Sequence, residues 1–487
     1  MNLRAVASTL GCATPDRAGD IEIADLAYDS RTVQPGSLFF CVPGAREDGH
    51  AHAVQAVQAG AAALVVERRL SLPDRPVPQL IVESSREAMG VLAAPFFGHP
   101  SRTVAVAGVT GTNGKTTTTY MLESIFRATG EEAGLIGTVE TRVAGRSEPA
   151  ARTTPEAVDV QRLLARMAAA GVTRCAMEVT SIGIESGRTA GIAFDVAVFT
   201  NLTHDHLDHH GTMDAYYAAK ARLFTSPGPR AAVINTDDPY GRRLVGELPY
   251  TPLRFAVAAE ADVLAADLVL DRRISRFRAV GCGLDLPLTI RIPGLFNVSN
   301  ALAAAAAAVK MGIAPEAISG GLEALDAVPG RFEPVDEGQD FLVVVDYAHT
   351  PDAVANVLAA ARELTDGRVI AVFGCGGDRD RAKRPEMGRA AAGLADVVFA
   401  TSDNPRSEEP GAILQEIEQG LAGAPPPEGY RIIADRAEAI AEAIEAARTG
   451  DVVVIAGKGH ETGQDVGGTV LPFDDRLVAA DILRARS

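Results

Sequence analysis

Cationic residues are in short supply in this 487-residue chain: 46 Lys and Arg stand against 63 Asp and Glu, a formal net charge of −17. Such a polyanion is repelled by bulk nucleic acid and by acidic membrane surfaces, so nucleic acid is excluded as a partner. An anionic small substrate must instead meet a local cationic site. Cysteine is scarce too. Cys12, Cys41, Cys175, Cys282 and Cys375 are odd in number, scattered, and without the C-x-x-C spacing of zinc or redox sites. That usage suits a reducing compartment. No stretch reaches the roughly 18 consecutive apolar residues of a membrane span, and the N-terminus lacks the apolar core of an export signal. The expectation is a cytoplasmic protein with no membrane insertion.

What is present is globular in character. Hydrophobic residues make up 47% and charged ones 22%, which excludes wholesale disorder, collagen and coiled coil. The length implies about three domains. Residues 1–100 alternate short apolar runs (DIEIADLAYDS, GSLFFCV, AALVVE, PQLIVE) with a helical pattern at HAHAVQAVQAG, a small α/β unit. Residues 101–328 open on strand, Gly-rich loop and helix, and their last clear helix is SNALAAAAAAVKMG, with Ser299 as the expected cap and Gly312 as the stop. In residues 329–487 five apolar strands are each followed by a polar loop, mostly leading into a helix, which predicts a Rossmann-like, doubly wound parallel sheet. Ligands of such sheets bind at the carboxyl ends of the strands, so GGDRD, DNPR and GKGHE are expected to converge.

One segment carries chemistry by its context. Gly111-Thr112-Asn113-Gly114-Lys115-Thr116-Thr117 lies between an apolar strand and a helix. Backbone N–H groups and the helix start there can cradle phosphate oxygens, Lys115 can neutralise charge, and the Thr116 hydroxyl can ligate Mg²⁺. The strict G-x-x-x-x-G-K-[ST] pattern would place its first glycine at Val109, so the loop is a variant.

With DSRTVQPGSLFF, GTNGKTT, RTTP, MEVTS, FTNLTHDHLDHHGTM, FNVSNALAA, GRFE, DYAHTPD, GCGGDRD, DNPR and GKGHE in this order, the chain resembles the Mur ligase family along essentially its whole length. The resemblance implies three domains: a small α/β uridine-nucleotide domain, a central P-loop ATPase-type parallel sheet, and a C-terminal domain for the incoming amino acid. It implies an ATP- and Mg²⁺-dependent, cytoplasmic ligase that forms an amide bond through an acyl phosphate in peptidoglycan precursor synthesis; a monomer is expected. The implied substrates are ATP, UDP-N-acetylmuramoyl-L-alanyl-D-glutamate and meso-diaminopimelate. A lysine-adding Mur ligase, a folylpolyglutamate synthetase-like ligase and a nucleotide-regulated binding module are the competing readings. The last sits poorly with joint retention of Lys115, Thr116, Glu178, His206 and Lys220.

By the same resemblance Lys115, Glu178, His206 and Lys220 are catalytic, with Thr116, Glu178, His206 and Lys220 as a carbamate around the metal. Zinc at the His204, His206, His209, His210 run is disfavoured, because zinc sites use closed His and Cys sets. Asn297 and Asn300 join residues 111–117 in binding ATP; Ser30, Thr153, Thr154, Thr180, Ser186 and Arg188 hold the uridine-linked substrate. Thr180, Ile182 and Ser186 depart from the commonest family residues. A plain alternative for Thr154-Pro155 is a helix cap followed by a first-turn proline. Arg379, Asp403, Asn404, Pro405, Arg406, Gly457 and Glu461 are assigned to diaminopimelate. Here the charges argue independently: arginines take carboxylates, Asp and Glu accept from ammonium groups, and the ligand carries amine and carboxylate at both ends.

Overall fold

Four short apolar runs in the first hundred residues become the parallel strands Asp25–Ala27, Ser37–Phe40, Ala63–Val66 and Gln79–Ile81, side by side in chain order. The middle two are buried at every position, as continuous apolar runs require when both faces are covered. Leu38, Phe40, Ala63 and Val65 share a core with Leu3, Val6, Met89 and Leu92 of flanking helices. Phe39, Leu64 and Val66 face Ala56 and Val57 on the opposite side. The structure is a computed structural model that describes every residue except 17–19, 45, 46, 73, 74, 226, 272, 424 and 487.

By packing, the chain divides into two compact units. The first comprises residues 1–110, 131–197 and 214–231. Beside the four-stranded sheet it holds Ala105–Thr110, Arg174–Glu178 and Ala133–Ile136 as parallel neighbours, continued by the antiparallel strands Glu140–Val143 and Arg146–Pro149.

The second unit comprises residues 111–130, 198–213 and 232–487. Ala231–Asn235, Leu253–Ala256 and Val263–Leu270 run parallel, then Ser275–Gly281 and Leu284–Ile290 return antiparallel. The parallel sheet expected in residues 101–328 therefore ends, in this unit, in antiparallel strands. The reason is visible in SRFRAVG, whose buried and exposed positions alternate over Ser275–Ala279: only one face is covered, which antiparallel strands tolerate. The helix Leu295–Lys310 also begins earlier than expected. Gly294, at φ 105°, caps it, and Ser299 lies inside it, because Asn297 Nδ2 donates to Pro293 O and supports a helical turn there. It does stop before Gly312, at φ 72°.

The C-terminal sheet has the order Glu333–Pro334, Leu342–Asp346, Val452–Ala456, Val369–Phe373, Val397–Ala400, Tyr430–Ile432, and all pairs but the first are parallel. Connections running one way along the sheet place Pro351–Glu363, Lys383–Leu394 and Pro410–Gly423 on one face. The returning connection places Arg436–Ala446 on the other, with Asp475–Arg486. This is the doubly wound arrangement expected. Among the described residues no helix is long and apolar enough to cross a membrane.

Candidate functional site

The phosphate-type loop is built as its glycines demand. Gly111 and Gly114 have φ of 153° and 85°, and an added Cβ would collide with Thr200 Oγ1 and Asn300 Oδ1 respectively. Gly114 is also the cap residue of Lys115–Ala128 and offers no side chain, so the first turn presents its backbone N–H groups. Residues 200–203 brace the loop: Asn113 N donates to Asn201 Oδ1 at 2.9 Å, and Thr112 N to Asn201 O at 2.9 Å. Lys115 Nζ folds back onto Gly111 O and Thr112 O at 3.0 and 2.8 Å. Thr116 and Thr117 are buried in the first turn.

Beside this loop a pocket is lined by Asn113, Gly114, Asn201, Phe255, Phe296, Ser299 and Asn300. Asn297 and Asn300 are both buried, one turn apart; Asn300 Nδ2 donates to Asn297 Oδ1 at 3.1 Å. Of the pair, Asn300 reaches the pocket, while Asn297 stands behind it.

In the first unit Glu178 ends its strand fully buried. Its carboxylate accepts from Thr138 N at 2.7 Å and Thr138 Oγ1 at 3.0 Å. Thr153 Oγ1 lies 3.1 Å from Thr138 Oγ1, and Thr154 Oγ1 donates to Glu178 O at 3.0 Å while accepting from Thr180 N. Thr154 is thus no helix cap; Ala157–Ala169 is preceded by Glu156. Arg188 donates to Thr154 O and pairs with Glu156 at 3.2 Å, and burial lowers its pKa. Ser186 ends the short helix Ser181–Glu185. Ser30 donates to Gln55 Oε1 at 3.0 Å, in the first sheet's own surroundings. Lys220 is only 1% exposed, its Nζ 4.6 Å from the Tyr216 ring centroid. In the second unit His206 sits half-exposed at φ 53°, its Nε2 3.4 Å from Asp205.

At the C-terminal sheet the three expected loops do converge. Gly377 N donates to Asn404 O, Arg406 Nη1 donates to Gly377 O at 2.6 Å, and Asn404 Nδ2 donates to Glu461 Oε2 at 2.9 Å. The approach is close enough that a Cβ on Gly377 would strike Pro405 O, and one on Gly457 would lie 2.5 Å from Asp403 Oδ2. Asp403 is buried; burial raises its pKa, and the nearby Arg436 and Lys458 oppose that shift. Arg379 is exposed at the rim.

Over 494 aligned residues the chain is 46% identical to the UDP-N-acetylmuramoyl-L-alanyl-D-glutamate–2,6-diaminopimelate ligase of Geobacillus thermodenitrificans, covering all of both chains. The chain belongs to the Mur ligase family. Residues 22–97 match the Mur ligase family catalytic domain, 109–308 the Mur ligase middle domain, and 330–459 the Mur ligase, glutamate ligase domain. The similarly named ligase of Solibacter usitatus is 46% identical, over 99% of this chain and 98% of that one. A solved structure of a ligase with the same name superposes with a TM-score of 0.71 at 32% identity, over 100% of this chain and 99% of the other.

Residues that the sequence did not flag also pack around the loops of this Mur ligase. Arg436 and Asp475 form an ion pair with both side chains fully buried, and Arg436 donates to Ser402 O and Ala456 O, tying two strand-end loops together. The hairpin Gly463–Val466 with Thr469–Pro472 holds Arg406, at φ 53°, through Arg406 N to Asp465 O and Gly467 N to Arg406 O. Its signal was the Gly467-Gly468 turn between strand-like runs. Arg331 lies over the Tyr347 ring at 4.9 Å, next to His460, whose pKa burial pushes down to about 4. Glu156 gathers Arg86, Arg152 and Arg188 around one buried carboxylate.

Proposed function

We infer that this Mur ligase joins meso-diaminopimelate to UDP-N-acetylmuramoyl-L-alanyl-D-glutamate at the expense of ATP, in the cytoplasm and as a monomer. Residues 1–100 take the uridine nucleotide, 101–328 bind ATP, and 329–487 bind the amino acid. The convergence of GGDRD, DNPR and GKGHE, with cations and carboxylates interleaved at one sheet edge, carries the reading.

In this scheme a carboxylate oxygen of the UDP-linked substrate attacks the γ-phosphorus of ATP and ADP leaves. The amine then attacks the acyl phosphate carbon, loses a proton, and the tetrahedral adduct expels phosphate. The chain's tasks are positioning and charge neutralisation. Residues 111–117 cradle the phosphates; Asn300 and Asn297 border the nucleotide; Ser30, Thr153, Thr154, Thr180, Ser186 and Arg188 hold the uridine-linked substrate. Arg379 and Arg406 meet carboxylates of the amino acid, Asp403 and Glu461 meet its ammonium, and Asn404, which holds Glu461 through Nδ2, shapes the loops together with Pro405 and Gly457. The Thr116 hydroxyl, Glu178 carboxylate and a Lys220 carbamate would serve Mg²⁺ as the oxygen ligands it favours, with the His206 imidazole as a nitrogen ligand, and the ion would supply positive charge to phosphoryl oxygens.

The test offers ATP, Mg²⁺ and the UDP-linked dipeptide with diaminopimelate, lysine or ornithine, and measures phosphate release. Turnover with diaminopimelate is expected; none with any amine overturns the reading. Lysine lacks the distal carboxylate and would leave Arg406 without its partner. Arg406→Lys is therefore expected to raise KM for diaminopimelate about ten- to hundred-fold, the worth of a charge-assisted hydrogen bond pair. Unchanged discrimination against lysine would count against the assignment.

Lys220 supplies a separate check. Burial of an ammonium is costly, whereas its neutral amine can add CO₂ to give an anionic carbamate and a released proton. Lys220→Ala is expected to lose activity that added bicarbonate or a short carboxylate partly restores. Full activity in the plain variant would exclude the carbamate.

A further inference from the structure

Lys458 has no side-chain exposure, although Glu461, three residues on, is 34% exposed. A buried ammonium is stable only with its hydrogens placed on acceptors and its charge offset. Lys458 Nζ donates to Asn404 Oδ1 at 3.1 Å and to Glu461 Oε2 at 3.1 Å. Asn404 Oδ1 also accepts from Asp465 N at 3.0 Å. Two donors on that oxygen fix which way the amide lies, so Asn404 Nδ2 must face outward to Glu461 Oε2, where it donates at 2.9 Å. Glu461, 34% exposed, thus spends Oε2 on Lys458 and Asn404, which leaves Oε1 as its second acceptor.

The charges of the cluster add to this. Arg436 is matched by Asp475. Lys458 faces two carboxylates, Asp403 and Glu461, so these three groups by themselves keep one formal negative charge, which suits an incoming ammonium. Arg406, on the neighbouring loop, answers the ammonium with a guanidinium for the carboxylate beside it.

We propose that Lys458 is a positioning residue for the amino-acid substrate: from behind the site it orients Asn404 and Glu461 so that the other oxygen of the Glu461 carboxylate faces the substrate ammonium. It touches no substrate atom itself. The proposal rests on the diaminopimelate reading above.

The test uses the full-length enzyme and three steady-state titrations. In Lys458→Met, which keeps the stem and removes the charge, KM for diaminopimelate is expected to rise tenfold or more. KM for ATP and for the UDP-linked dipeptide should stay within twofold, with a small change in kcat. Lys458→Gln, which can still donate to Asn404 or Glu461, should fall between the wild type and Lys458→Met. Because the lysine acts through Glu461, Lys458→Met combined with Glu461→Gln should cost little more than the worse single change. An unchanged KM for diaminopimelate, additive losses, a parallel rise in all three KM values, or failure of both Lys458 variants to fold would each overturn the proposal. Absence of turnover in the unaltered enzyme would instead sink the diaminopimelate reading and is separable on that ground.

Discussion

Lys115→Ala is expected to lower ATP-dependent phosphate release about a thousand-fold, the scale set by removing a cation or donor aimed at a developing phosphoryl charge. The geometry makes the loss hard to compensate. Lys115 opens the helix that follows the loop, and its Nζ already rests on Gly111 O and Thr112 O, within the cradle itself. The backbone cradle survives the substitution, so nucleotide binding should weaken less than turnover. Lys115→Arg should rescue little, because a planar guanidinium cannot occupy the position of a compact ammonium among braced loop carbonyls. Single-turnover phosphate release at saturating ATP is the deciding measurement. A rate within tenfold of the wild type would remove Lys115 from the chemistry.

Arg436→Met is expected to cost about 3–5 kcal/mol of stability, because it strands a fully buried Asp475 without its cation. The pair itself is a weak stabiliser, since desolvation of both ions offsets much of their attraction. Pairing Arg436→Met with Asp475→Leu should therefore recover most of the loss in urea unfolding. Function should not recover with it. Arg436 also bonds Ser402 O and Ala456 O at 3.2 and 3.0 Å, and without those bonds the loops carrying Asn404 and Lys458 lose a common anchor. The double variant should fold well yet bind amino acid poorly. A single variant within 1 kcal/mol of the wild type would contradict the argument.

Features set by local rules were legible in the sequence. The phosphate loop announced itself because glycines between a strand and a helix can adopt positive φ, which Gly111 and Gly114 do. The meeting of GGDRD, DNPR and GKGHE followed from parallel strands sharing one carboxyl edge. Features set by packing were hidden. Ser299 and Thr154 looked like caps by residue type, but Asn297 supports an earlier helix start and Thr154 is drawn into the Glu178 and Thr180 hydrogen bonds. Charge, likewise, is written in the sequence and burial is not. Nothing in the sequence singles out Lys458 and Arg436, whose burial is matched by their partners Glu461 and Asp475.

The clamp on Arg406 bears on how amino-acid choice can be re-engineered. The residue keeps a left-handed backbone because hairpin groups hold it on both sides, Asp465 O receiving its N–H and Gly467 N reaching its carbonyl. Grafting the four letters DNPR into another ligase would transplant a guanidinium without the splint that aims it. On the proposed role of Arg406, the unit that sets preference is a pair of segments distant in the chain, and a change of amino acid would require both to alter together.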